Sequence, residues 1–250
     1  FVQGTSATVL SIGATDEIDL TATAVDLNGT LDVSGASQFN GAMVLAGTTP
    51  TLTIGDAGAE DTKIVFDGNA QDFYIGLDDT DDSIKIGLGS TLGTTAHIVS
   101  NAAGIVTKPL QPSFLISGDG STTISSALGH TMFNSGMTEV YDKNADMGAN
   151  GNFTAPVTGT YLLTFGLAFT NYGEAQLMHT KMVSSNRNYL FNRVDFDNSV
   201  YTDTTIDAQG AQLVDMDAND TVKLVKGGEN ATHTISNDPD LSWFSGALIC

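Results

Sequence analysis

The chain has 250 residues, of which 29 are acidic and 9 basic, for a formal net charge of −20. That length supports one large domain or two smaller ones with buried cores, and a field of that sign repels phosphate backbones and anionic lipid, which excludes nucleic acid as a partner. A single cysteine, Cys250, excludes an intrachain disulfide framework, and the longest apolar run, YLLTFGLAF at 161–169, has the length of a strand, so no membrane insertion is expected.

Threonine, glycine, asparagine and aspartate are plentiful, and apolar residues come in short runs rather than 3.6-period stripes, which predicts an all-β protein. The opening FVQGTSATVL carries no methionine and no charged leader, as a processed or trimmed end would.

Residues 1–55 count in sixes. In VDLNGTLDVSGASQFNGAMVLAGT, at 25–48, Gly29, Gly35, Gly41 and Gly47 recur at every sixth position. Leu27, Val33, Phe39 and Leu45 stand two before each glycine, and Val25, Leu31, Ser37 and Met43 four before. The unit is a short strand with two apolar positions on one face, then a corner where glycine tolerates positive φ. Hexapeptide periods belong to β-helices and related solenoids. These hexads, however, make little more than one coil, and a single chain would leave the apolar stripe wet and the strand edges open. Three chains wound together remove both problems. The pattern therefore predicts an intertwined trimeric β shaft whose core is Val25, Leu27, Leu31, Val33, Phe39, Met43 and Leu45; an irregular glycine-rich linker is the competing reading.

Residues 56–111 change to DTKIVFDGNAQDFYIGLDDTDDSIKIGLGS. The runs KIVF, DFYIGL and SIKIGL are separated by DGNAQ and DDTD, which is the grammar of hairpins and predicts a small antiparallel meander. The GLGSTLG that follows lacks the Gly-Lys-Ser/Thr of a phosphate loop and is flanked by strands. Residues 112–250 follow the proline-bounded TKPLQP. In TYLLTFGLAFT the odd positions Tyr161, Leu163, Phe165, Leu167 and Phe169 are all large and apolar, a period-2 strand with one face in a core. Further strands are predicted at QLMHTKMV, NYLFNRVDF, TVKLVK and WFSGALI, and a two-sheet sandwich is their natural packing.

This last stretch resembles the complement one-q globular head, the jelly-roll fold shared with tumour necrosis factor. The resemblance is carried by a Phe-Thr-x-Pro-x-x-Gly-x-Tyr motif at Phe153, Thr154, Pro156, Gly159 and Tyr161, with Phe165 further along the same strand. A later turn is matched at Asp220 and Val222, and a terminal Phe-Ser-Gly at Phe244, Ser245 and Gly246. Asn219 stands where that family usually has glycine. The resemblance implies a ten-strand jelly-roll sandwich that trimerises and serves as a recognition head at the end of a stalk. The hexads and the acidic meander are similar to shaft segments of bacteriophage tail fibres, those of marine phages above all, and the collagen triplets of the animal stalks are absent.

Strong hydrolase and zinc signatures are missing, so no catalytic residue is assigned. Asp78, Asp79, Asp81 and Asp82 crowd the loop LDDTDDS. A solvated hairpin tip is the simpler reading; a trimer that gathered these carboxylates would instead need protons or a hard cation such as Ca²⁺ between them. Of the head's aromatics, Tyr172 in TNYGEA is the one best placed to stack on a receptor sugar, ahead of Tyr189, Tyr201 and Trp243. The sequence as a whole predicts a non-enzymatic homotrimeric fibre, displayed on a virion, attached through its N-terminal side to a tail or baseplate protein and binding a host surface glycan or protein through its knob. A polysaccharide-degrading tailspike, a secreted cytokine-like head and a capsid decoration or filament subunit are the alternatives.

Overall fold

The β-branched and aromatic runs bounded by Asp, Gly and Asn form strands, and the computed structural model describes residues 13–118, 122–124, 129–134, 137–172, 177–195, 204–228 and 233–249. Among them there is no helix. The chain divides into two units, Phe1–Thr53 and Ile54–Cys250.

In the first unit the described residues, 13–53, form no strand within one chain. The seven apolar hexad positions expected to form a shaft core are between 47% and 66% exposed. A lone hexad chain has no neighbouring strand to take up its backbone hydrogen bonds, so β structure there requires one from outside.

The second unit opens with a five-stranded antiparallel meander, β1 (Thr62–Phe66), β2 (Phe73–Asp78), β3 (Ser83–Leu88), β4 (Ala96–Ser100) and β5 (Val106–Thr107), paired in chain order. Its register lines up three apolar rows: Phe66–Phe73–Leu88, Ile64–Ile75–Ile86 and Leu77–Ile84. Residues directly opposite share a face, so all of these side chains lie on one side. The other side carries Tyr74, Asp78, Ser83 and Lys85, and all four are buried. This inverts the usual arrangement, because the residues after β3 fold back over the polar face. The Gly93 amide donates to the Tyr74 hydroxyl at 3.2 Å, the Leu88 amide to the Thr95 carbonyl at 3.0 Å, and Lys63 Nζ to the Ser90 carbonyl at 2.6 Å.

The rest of the unit is a sandwich of two antiparallel sheets. One contains β6 (Ser113–Gly118), β7 (Thr122–Ile124), β8 (Met137–Lys143), β10 (Gly159–Tyr172), β13 (Thr204–Met216), β15 (His233–Ile235) and β16 (Trp243–Leu248). Its order is β7-β15-β10-β16-β6-β8, with β13 on the other edge of β10. The second sheet, in the order β12-β11-β14-β9, contains β9 (Phe153–Thr154), β11 (Leu177–Ser184), β12 (Asn188–Asp195) and β14 (Thr221–Gly228). The chain passes repeatedly from one sheet to the other, the alternation of a jelly roll. Where ten strands were expected, β6 to β16 make eleven segments among the described residues. The extra pieces are short: β7 and β15 have 3 residues each and β9 has 2.

The core lies between the two sheets. Tyr161, Leu163, Phe165, Leu167 and Phe169, the period-2 face of β10, are all fully buried, whereas Leu162 between them is exposed. Phe114 sits at the centre, stacked on Phe153 at 4.8 Å between ring centroids and edge-on to Phe244 at 5.1 Å.

Candidate functional site

The head motif proves to be a set of fasteners for one corner of the sandwich. Phe153 packs its ring against Tyr161 at 5.4 Å, and the Tyr161 hydroxyl reaches back to donate to the Val157 carbonyl at 2.8 Å. That bond explains the spacing: Pro156, Val157 and Thr158 form the bend before β10 begins at Gly159, and the tyrosine two residues into the strand ties the bend down. The Asp220 carboxylate accepts from the Asp217 amide at 2.9 Å and from Asn186 Nδ2 at 2.6 Å, closing the turn that precedes β14. Asn219, within that turn, has φ of +74°. Glycine is the easiest residue in this left-handed region and asparagine is among the few others that enter it readily, which accounts for the departure noted in the sequence.

Gly246 is required for a different reason. A Cβ there would stand 2.5 Å from Leu163 Cδ2 and 2.6 Å from Phe114 Cε1, so the absence of a side chain is what lets the Phe114 ring lie against β16. A Gly246→Val variant is expected to lose about 1–3 kcal/mol of head stability through overpacking. A urea midpoint unchanged from wild type would show that the ring has room to move.

The acidic loop is not one cluster. Lys85 Nζ lies 2.6 Å from Asp78 Oδ2 and 2.7 Å from Asp81 Oδ2, beneath the returning chain at Gly93. Asp81 also accepts from the Ser83 hydroxyl, and Asp78 Oδ1 from the Thr80 amide at 3.1 Å. Asp79 and Asp82 are exposed and take no part in this cage. Among the described residues no three acidic, histidine or cysteine side chains converge as metal ligands within one chain. The cation between Asp78 and Asp81 is an ammonium supplied from β3, a pairing that the run of aspartates by itself concealed.

The Lys85 hydrogen bond, and after it that of Ser83, holds the Asp81 carboxyl below its ordinary 3.8, while Asp78 and then Asp81 hold Lys85 above its ordinary 10.5. Asp81 therefore contributes stability that is present above pH 3.8 and lost as pH falls through its lower folded value. Lys85 contributes stability that is present below pH 10.5 and lost as pH rises through its higher folded value. A Lys85→Met variant is expected to unfold at lower urea than wild type by a margin that is flat between about pH 5 and pH 9 and narrows toward about pH 3. A margin that changed mainly around neutral pH would assign the effect to a histidine instead.

On the outer face of the larger sheet, Trp243 lies flat over Gly166, where a Cβ would meet the indole Nε1 at 2.7 Å. Leu162 pairs directly with Leu213 on the same face, and Thr164 and Ser245 share a hydroxyl hydrogen bond at 2.8 Å. Open clefts flank the indole, one lined by Leu115, Ser117 and Val140, the other by Thr164, Gln209 and Ala211. Trp243 thus stands half-buried on the outer face rather than between the sheets. Tyr189 packs against the core. Tyr172 ends β10, and its side chain lies outside the described residues, as does Tyr201.

Among the described residues the geometry thus defines an all-β chain with a jelly-roll sandwich, a meander with an exposed apolar face, a stripe of bare apolar hexads and, as a candidate site, the outer face around Trp243. No family model and no curated protein matches the sequence. Solved structures similar to it include the globular domain of zebrafish complement 1qA (18% identity, 56% of this chain and 98% of that one, TM-score 0.40). The Eiger tumour necrosis factor of S. frugiperda (10% identity, 56% and 94%, TM-score 0.43) and murine APRIL at pH 8.0 (12% identity, 56% and 99%, TM-score 0.39) are also similar.

Proposed function

We propose that this chain is a subunit of a homotrimeric, non-enzymatic fibre on the outside of a virus particle, its hexads wound into a shaft and its jelly roll serving as a knob that binds a host surface glycan or protein. The observation that carries the reading is the exposure of Val25, Leu27, Leu31, Val33, Phe39, Met43 and Leu45 in a single chain. A regular apolar stripe left in water calls for a partner, and a six-residue register repeated along an extended segment suits identical chains wound in parallel. The N-terminal side is then the mounting point on a tail or baseplate protein, and the outer face around Trp243, with Asp240 beside the indole, is available for the knob's own contacts.

Sedimentation equilibrium of the full chain tests the assembly: three times the chain mass is expected, and dissociation should coincide with unfolding because each chain's hexads are unsupported alone. A monodisperse monomer would defeat the reading. The tailspike alternative predicts reducing ends released from host polysaccharide, and the fibre reading predicts binding to host cells without them.

A further inference from the structure

We propose that the apolar face of the β1–β4 meander is a second assembly surface, on which the same face of three copies of this chain meets around a common axis to close a triangular β prism. The proposal rests on the trimeric reading above and locates a contact that the hexads do not supply.

Ile64, Phe66, Phe73, Ile75, Leu77 and Ile84 stand on this face, each between 39% and 55% exposed. A contiguous patch of that kind, on the order of 500 Å², is at the upper end of what a monomer leaves in water. Over β2 and β3 the reverse face is closed by the chain's own return through Gly93, which buries Tyr74, Asp78 and Lys85, while Lys63 and Val65 of β1 stay exposed at its edge. The middle strands β2 and β3 therefore have one free face, and it is the apolar one. Ile54, just ahead of β1, lines the same shallow groove as Ile64, Ile75, Leu77 and Ile84.

The occupant follows from charge and geometry. The three rows carry no charged side chain, so an acidic or basic partner finds nothing there to recognise. Copies of a chain of net charge −20 repel one another across most of their surface, and a face free of carboxylates is where they can approach. Four strands about 4.8 Å apart make a plane roughly 14–19 Å wide. Three such planes set in a triangle each lie about 4–5.5 Å from the axis, half of the ~10 Å that stacked sheets keep between them. Isoleucine and phenylalanine side chains then fill the middle without a channel. Two planes face to face would bury the same residues but leave both sheet edges, β1 and β5, open, whereas a triangle brings each edge beside the next sheet.

The test uses the full chain in a Cys250→Ser background, with Ile75→Cys at the centre of the face and, separately, Asn69→Cys in the exposed β1–β2 turn as reference. Thiol labelling is timed on each variant, and its mass is measured by sedimentation. A trimer in which position 75 labels at least about tenfold more slowly than position 69 supports the proposal. A trimer with a smaller ratio overturns this face while leaving the fibre reading standing. A monomer in which position 75 is slow shows that another part of the same chain covers the face, and a monomer with the two positions alike removes both readings. Leu77→Cys repeats the measurement on the neighbouring row should the Ile75 change disturb folding.

Discussion

Replacing Phe39 with aspartate is expected to leave the chain monomeric. In one chain Phe39 is 64% exposed, so the substitution removes little from the fold of the single chain, where surface changes stay within about 0.5 kcal/mol. In a three-chain shaft the same position occurs three times around the axis. Each copy would then bury a carboxylate with no cation near it: the hexads at 25–48 contain Asp26 and Asp32 but no lysine or arginine. An uncompensated buried charge costs several kcal/mol per ion, and like charges close to one axis add to this. The loss exceeds what three buried phenylalanines contribute, so assembly should fail rather than weaken. Sedimentation equilibrium reads the mass, and a cooperative thermal melt of the head shows that the chain still folds. Trimer formed in wild-type yield would mean that the hexads face solvent.

The second large effect is expected from Phe114→Ala. Phe114 is fully buried where the two sheets meet, stacked on Phe153 from the smaller sheet and edge-on to Phe244 beside it in the larger. Truncation removes both aromatic contacts and opens a cavity that neighbours held in strands cannot close. Phenylalanine-to-alanine changes at such sites cost about 3–5 kcal/mol, which for a domain of this size lowers the melting temperature by on the order of 15 °C. Calorimetry on the variant should show that shift, and a shift of only a degree or two would mean that the two sheets repack across the gap. Gly246 lies directly against the same ring, so Phe114→Ala combined with Gly246→Val should cost less than the sum of the two: the valine grows into the space the ring vacates.

Strands with strong local chemistry were legible in the sequence. TYLLTFGLAFT alternates without a break, and β10 buries each of its odd positions from Tyr161 to Phe169. QLMHTKMV, NYLFNRVDF, TVKLVK and WFSGALI each coincide with a strand. No strand was expected at β13 (Thr204–Met216), which is 13 residues long and hydrogen-bonded along nearly the whole of β10. Its inward positions include the small Ala208 and Gly210, the latter lying against the rings of Phe165 and Phe191. The inward alternation of Ile206, Ala208, Val214 and Met216 is broken by Gly210 and Gln212, so no continuous period-2 run marks the strand. After SIKIGL, the loop-like GLGSTLG likewise conceals that β4 and β5 lie beyond it.

The sequence by itself determined the β class, the six-residue register of the hexads and the period-2 core strand, because each depends on residues near one another in the chain: branched side chains that suit extended backbone, glycines at corners, alternation across a pleat. Tertiary structure decided which face of the meander is bare. The alternation Phe73-Tyr74-Ile75-Gly76-Leu77-Asp78 has two sides, and either could face water until the backbone at Gly93 folds onto Tyr74 and Lys85 closes on Asp78 and Asp81. It also decided that Trp243 lies on the outer face over Gly166 and that Asp78 and Asp81 are balanced by Lys85 of β3. Those outcomes depend on register and on the return path of a loop, which set the distance between side chains on different strands, and no local preference along the chain carries that distance.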